Sequence, residues 1–185
     1  MNVDLSKFST GGFDRGASRF KETLWVLVRC LFFAPTCPLP SALRVFFLRW
    51  FGAKIGKGVV IRSRVNITFP WKLTVGDHVW LGEECWLLNL APIVIESHVC
   101  ISQRAFLCTG NHDYKSPAFN LITRAISVEQ GAWIGAGAFV GPGVKVGSHA
   151  VLTAGSVATD GLQPFGIYQG NPVTFVKQRE IHPKS

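Results

Sequence analysis

A repeat of six residues constrains this chain more than any other feature. From Val128 to Ser156 the sequence reads VEQGAWIGAGAFVGPGVKVGSHAVLTAGS, with aliphatic residues at Val128, Ile134, Val140, Val146 and Leu152. Four positions after each stands a second small or aliphatic residue: Ala132, Ala138, Val144, Ala150 and Ser156. Neither the helical period nor the alternation of a half-buried strand produces this pattern. A fixed hexad marks a β-helix, in which each hexad forms one flat face and three faces make a coil. Both the aliphatic and the small residue point inward, the small one near the corner where space is tight. Glycine often follows the aliphatic, as at Gly135, Gly141 and Gly147. There it would relieve the bend, because it reaches backbone angles closed to other residues.

The repeat extends upstream. Ile55, Ile61 and Ile67 make one set, Val75, Leu81 and Leu87 a second, and Ile95, Ile101 and Leu107 a third, with starts twenty residues apart. Small inward positions recur at Val59, Val65, Val79, Cys85, Ala91, Val99 and Ala105. After Leu107 the array fails. The next inward small position falls on Asn111, His112 follows, and the hexad resumes only at Val128. A long excursion from a regular scaffold is usually functional. The chain therefore divides into an N-terminal arm with apolar or amphipathic helices (1–54), a β-helix (55–160) carrying an excursion at 113–127, and a C-terminal tail (161–185).

A length of 185 residues fits one domain, and an apolar share of 48% fits an aliphatic core. The formal charge of +8 points to an anionic partner. A phosphorylated cofactor or an acidic membrane surface fits better than nucleic acid, since no basic run is interleaved with aromatics. The five cysteines contain no CxxC pair, which argues against a disulfide framework or a zinc site. Cys85 sits at an inward position, and Cys108 at a corner. The first residues lack the basic start and apolar core of a signal peptide, so a cytoplasmic protein is expected.

Residues 1–20 read as an extended polar arm. The run KETLWVLVRCLFFAP is interrupted by Arg29 and is too short to span a bilayer. Pro35, Pro38 and Pro40 then break the chain, and Ser41 is placed to cap a second helix, SALRVFFLRWFG. Two readings of these helices stand side by side. They cap the first coil, or residues 21–52 form an amphipathic anchor at the inner membrane face.

The hexad array, the loop opening Gly110-Asn111-His112, the run WIGAGAFVGPGVKVG and the closing Gly170-Asn171-Pro172 resemble the hexapeptide-repeat O-acetyltransferases. The resemblance is nearest to the colanic-acid-type exopolysaccharide acetyltransferases, and FGAKIG at 51–56 is similar to that group too. Maltose, galactoside and nodulation-factor acetyltransferases are more distant. The resemblance implies an all-β, left-handed parallel β-helix, a handedness that runs against the general rule for crossovers and that periodicity does not reveal. It also implies an acetyl-CoA-dependent O-acetyltransferase acting on a sugar hydroxyl in bacterial exopolysaccharide synthesis. The acceptor would be a sugar, a nucleotide sugar or a lipid-linked glycan. The enzyme would be a homotrimer with active sites in the clefts between neighbours, and it would use no metal.

His112 matches the family's catalytic histidine. A sugar hydroxyl is too weakly acidic to attack a thioester at neutral pH, and an imidazole, with an ordinary pKa of about 6.5, can take its proton as attack proceeds. No covalent acetyl-enzyme is required. Asn89 falls where the family places an acidic residue that helps hold the acceptor; an asparagine ladder or turn role is the alternative. Asn111, Asp113 and Tyr114 are further candidates for acceptor contact, and Asp113 or Tyr114 could orient the histidine. Toward acetyl-CoA the resemblance carries over onto Ala136 and Ala154, whose small side chains admit the pantetheine arm, and onto Thr159 and Lys177. Trp133 resembles a common coil aromatic of the family and is a further candidate for acetyl-CoA contact, with packing between subunits as the alternative. Asp160 and Thr174 stand where the family carries a lysine and an arginine.

Rival functions are less well supported. GAGAFVG at 135–141 lacks the GxGxxG spacing and the strand–turn–helix context of a dinucleotide loop. A zinc enzyme would need three converging histidines. His78, His98 and His149 share the outward fourth hexad position, whereas His112 occupies another. A non-catalytic trimeric scaffold in a membrane-associated glycan-assembly complex is the alternative from a different class. Acetyl-CoA affinity separates it from an enzyme.

Overall fold

The inward aliphatics stack into three parallel ladders, one per face. The first face runs Lys54–Ile55, Leu73–Val75, Ile93–Ile95, Ile126–Val128 and Lys145–Val146. The second runs Val60–Ile61, Trp80–Leu81, Cys100–Ile101, Trp133–Ile134, Val151–Leu152 and Gly166–Gln169, and Thr174–Gln178 folds back antiparallel on the last of these. The third runs Asn66–Ile67, Trp86–Leu88, Phe106–Cys108, Phe139–Val140 and Val157–Ala158. This computed structural model describes residues 2–36 and 39–182. Pro38, one of the expected chain breaks, and Cys37 lie outside the described residues.

Ile61, Leu81, Ile101, Ile134 and Leu152 form one column with no exposed surface. Full burial of each such side chain is worth about 1.5–3 kcal/mol. The small positions Ala132, Ala138, Val144, Ala150 and Ser156 are buried as the hexad requires. Ala91 is a correction. It is only half-buried, and the fully enclosed residues at that corner are Asn89 and Ile93. The two extra residues of the longer coils enter there and shift the register of what points inward.

The corner glycines also correct the expectation. Gly135 and Gly147 do not supply unusual backbone angles; they supply contact distance. A Cβ on Gly135 would lie 2.5 Å from the Ala154 nitrogen, and one on Gly147 would lie 2.6 Å from the Pro164 nitrogen. The left-handed conformation falls two residues later in the turn. At the corner between the second and third faces it is taken by Arg64 (φ 61°), Glu84 (61°), Arg104 (58°), Gly137 (65°) and Gly155 (68°). The three side-chain-bearing residues pay a steric cost there. They are stacked so that Glu84 meets Arg64 at 2.9 Å and Arg104 at 2.8 Å.

The first coil would leave an open row of backbone groups, the usual hazard of an edge strand. Two helices cover it. Helix α1 (Arg19–Val28) starts at Ser18, whose hydroxyl accepts from the Lys21 amide, and continues through a π-helical turn at Arg29–Phe33. Helix α2 spans Ser41–Trp50. Trp25, Phe33, Leu48 and Phe51 join the same core as Ile61 and Ile67. Their polar neighbours close the edge on all three faces. Arg49 donates to the Ile55 carbonyl (2.8 Å), Arg44 to the Ile61 carbonyl (3.2 Å) and the Trp25 indole to the Ile67 carbonyl (3.0 Å). Ser41 was expected to cap α2. Instead its hydroxyl bonds both the amide and the carbonyl of Ile61 at 3.1 Å, a strand-edge role.

The inner face of the helices is therefore a plug. Their outer face exposes Phe20, Leu27, Leu31, Phe46 and Trp50. Among the described residues, no helix is long and apolar enough to cross a membrane.

Candidate active site

The excursion leaves the corner between the third and first faces and forms a hairpin. Gly110–His112 pairs antiparallel with Leu121–Thr123, so the true loop is 113–120, and the first face is regained at Ile126 rather than Val128. His112 ends the outgoing strand and is half-buried. Its Nδ1 lies 3.0 Å from the Phe119 carbonyl oxygen, and its ring stacks on the Phe119 ring at 4.4 Å and 9°. A carbonyl oxygen only accepts, so Nδ1 carries a proton, and in the neutral ring Nε2 is the nitrogen with the lone pair.

The orienting group is thus the Phe119 carbonyl, not Asp113 or Tyr114. Asp113 accepts from the Lys115 amide at 3.1 Å and shapes the turn. Tyr114 is 73% exposed, with Lys115 over its ring. Asn111 is exposed beside the histidine, and its side-chain oxygen accepts from the His112 amide at 2.8 Å.

Asn89 does not reach an acceptor. It has no exposed surface, its Oδ1 accepts from the amides of Thr68 (3.1 Å) and Phe69 (2.8 Å), and its Nδ2 donates to the Phe69 carbonyl (2.6 Å). Both acceptor positions of its Oδ1 and one of its two N–H groups are engaged inside the coil, which is the turn role. Thiol nucleophiles are also poorly placed. Burial pushes the Cys85 thiol up to about 12 and raises that of Cys108, whose Sγ donates to the Gly110 carbonyl.

The residues assigned to acetyl-CoA divide between two corners. Thr159 shares the corner of His112, further along the helix, and its hydroxyl donates to Asp160 at 3.3 Å. Ala136 and Ala154 stack at the corner between the second and third faces, joined by the Gly155 amide donating to the Ala136 carbonyl at 2.9 Å. With Gly137 and Gly155 they leave an open strip of backbone. Trp133 lies on the outer second face, 46% exposed, its indole donating to Ser102 at 2.9 Å. Lys177 is exposed on the returning strand of that face, opposite Ile167. Within one chain, then, the third face separates the histidine from the small-residue strip.

The histidine rings outside the hairpin do not converge. His78 stacks on His98 at 5.3 Å, and His149 stacks on Phe165 at 4.8 Å. Among the described residues no group of three or more His, Cys, Asp or Glu side chains is placed to hold a metal ion.

Phe119 was missed by sequence reasoning, as was Phe8 of the N-terminal arm, whose ring lies 5.8 Å from that of His112. Phe119 acts through its backbone carbonyl, which no residue type announces. The arm was expected to be extended, and it instead makes a short 3-10 turn at Leu5–Lys7 and lies on the hairpin.

The three-faced left-handed β-helix is the fold of the hexapeptide-repeat acetyltransferases, and in this chain a histidine-bearing hairpin interrupts it and helices plug its start. One solved member, from Vibrio cholerae, superposes with a TM-score of 0.80 at 22% identity over 90% of this chain and 96% of its own. The same protein has been solved in complex with acetyl-CoA. A maltose O-acetyltransferase from Clostridium difficile 630 superposes with a TM-score of 0.79 at 22% identity, covering 88% of each chain. No family model matches the chain. By sequence, it is 41% identical over 176 residues to the protein of Escherichia coli (strain K12) named as the colanic acid biosynthesis acetyltransferase WcaF, covering 95% of this chain and 97% of the relative. The chain belongs to this colanic-acid-type family of hexapeptide-repeat acetyltransferases.

Proposed function

We propose that this chain transfers the acetyl group of acetyl-CoA to a hydroxyl of a sugar in exopolysaccharide synthesis, with His112 as general base. The observation that carries this reading is the bond from His112 Nδ1 to the Phe119 carbonyl, which leaves Nε2 as the free acceptor. As the acceptor oxygen attacks the thioester carbon, its proton passes to Nε2. The C–S bond then breaks, and the leaving sulfur takes the proton back, giving CoA thiol, acetylated sugar and a neutral imidazole. Nδ1 donates to the same carbonyl throughout, so the ring need not turn during turnover.

We further propose a homotrimer. The separation of His112 from the Ala136–Ala154 strip supports it, because a head-to-tail ring would set one corner of each subunit against the other corner of its neighbour. Trp80, Trp86 and Trp133, exposed on the second and third faces, are large aromatics for a free surface. Lys177 at the end of the strip would meet a CoA phosphate. The apolar outer face of the helices, with Phe20 79% and Leu31 and Trp50 each 64% exposed, supports peripheral contact with the inner membrane face and a lipid-linked acceptor.

The test is thiol release from acetyl-CoA by wild type and His112→Ala across sugars, nucleotide sugars and lipid-linked glycans. Acceptor-dependent release that the substitution abolishes supports the reading. Release at the wild-type rate in the variant refutes His112 as base, and absence of acetyl-CoA binding by calorimetry favours a scaffold. Membrane contact is tested by liposome flotation of a Phe20→Ser, Leu31→Ser, Trp50→Ser variant, since deleting the helices would unplug the first coil. Flotation equal to wild type would refute the anchor.

A further inference from the structure

The N-terminal arm runs along the corner that carries the histidine and is tied to it at both ends. Near the helical plug, the Trp71 indole donates to the Arg15 carbonyl at 2.7 Å, and Lys72 Nζ donates to the carbonyls of Asp14 and Leu90. Phe13 stacks on Phe69 at 6.3 Å. At the far end the arm braces the hairpin. The Asp4 amide donates to the Pro117 carbonyl at 2.8 Å, the Leu121 amide to the Ser9 carbonyl at 3.3 Å, and the Ser9 amide to the Asn120 side chain at 3.3 Å. These contacts grip the hairpin on both sides of Phe119, the residue whose carbonyl holds His112. Between them lies Phe8, with its ring tilted 52° to the imidazole.

Two aromatic rings thus bound the imidazole, one from the hairpin and one from the arm. The hairpin has three paired positions on each strand, and beyond them the Asp113 amide donates to the Asn120 carbonyl at 2.8 Å and the Arg124 amide to the Thr109 carbonyl at 2.9 Å. An isolated two-stranded ribbon of that kind is marginal in water, so the arm supplies much of what keeps the Phe119 carbonyl in place. We infer that Phe8 is a positioning residue, and that residues 4–9 form a built-in brace fixing the orientation of His112. This rests on His112 being the general base. Phe8 itself is not a catalytic residue, since it carries no group able to move a proton. Its role is to deny the ring other orientations and so keep Nε2 aimed at one place.

Misplacing a reacting group by about 1 Å can cost on the order of a hundredfold in rate. The expected result for Phe8→Ala is therefore a kcat about ten- to a hundredfold lower, with an unchanged KM for acetyl-CoA. Phe8 lies outside the main core and is 42% exposed, so the melting temperature should hardly move. Phe8→Leu, which restores apolar volume, should recover most of the rate. In wild type, imidazole nitrogen NMR should show a single tautomer protonated at Nδ1; in Phe8→Ala a second tautomer should appear. A wild-type kcat for Phe8→Ala, in a protein that His112→Ala inactivates, overturns this inference alone. A loss of kcat accompanied by an equal loss of thermal stability, with the tautomer unchanged, also overturns it by making the arm merely structural. If His112→Ala is fully active, the underlying reading fails first.

Discussion

Replacing Asn89 by alanine should unfold the protein more easily and leave the chemistry of the folded fraction intact. The magnitude follows from counting partners. Thr68 N–H also donates to the Leu87 carbonyl at 3.2 Å, and the Phe69 carbonyl also accepts from the Lys72 amide at 2.9 Å. Both keep a partner after the substitution. Phe69 N–H has Asn89 Oδ1 at 2.8 Å as its acceptor, and Phe69 is itself buried. Orphaning such a donor costs about 1–3 kcal/mol, and the other two lost bonds add a fraction of that each. A total of about 2–4 kcal/mol corresponds to a melting temperature lower by about 5–15 °C for a chain of this size. Asn89→Asp should fare no better. It sets a second acceptor where Nδ2 now lies 2.6 Å from the Phe69 carbonyl and buries a charge. Thermal melting and steady-state kinetics on the same preparations decide the matter. Wild-type stability with a strongly raised KM for the acceptor would refute the buried-turn argument and restore Asn89 as a ligand.

Two further outcomes follow from burial and close packing. Alkylation with iodoacetamide at pH 8, read by mass spectrometry, should label exposed Cys30 quickly and leave Cys85 unlabelled in the native protein, because burial holds that thiol up to about 12. Gly135→Ala should destabilise more than Gly137→Ala by thermal melting. The first drives a Cβ to 2.5 Å from the Ala154 nitrogen, whereas the second meets open space and bears only the left-handed φ of 65°, about 1–2 kcal/mol.

The hexad made the core legible because it reports one thing well, namely which side chains face inward. Ile61, Leu81, Ile101, Ile134 and Leu152 are all enclosed, as their spacing requires. It is mute about corners, where the small residue at Gly135 serves contact between coils and Ala91 yields the interior to Asn89 and Ile93. His112 was visible as a histidine at the break in the repeat. Its orientation was not, because its partner is a backbone carbonyl. The arm was invisible for a different reason. Ser9 meets Asn120 across 111 positions of chain, and a contact that distant leaves no periodic trace. The same holds for Ser41, which reads as a helix cap but bonds the edge of the first coil twenty residues on.

The separation of the two corners makes a sharper prediction than either corner alone. If each active site takes His112 from one subunit and the Ala136–Ala154 strip from its neighbour, two differently disabled chains should rescue each other. His112→Ala lacks the base but keeps the strip; Ala136→Trp keeps the base but fills the strip, whose neighbouring Gly137 has nothing within 4 Å of its missing Cβ. Each variant alone should be inactive. Co-expressed at equal levels in a ring, a site is intact only when its histidine comes from the second chain and its strip from the first. Random assembly makes that about one site in four. Activity near a quarter of wild type, measured as thiol release by the mixed population, would establish a shared site. No activity above the sum of the separate variants, in mixed oligomers shown to form by differential tagging, would refute it and require both halves of the site to come from one chain.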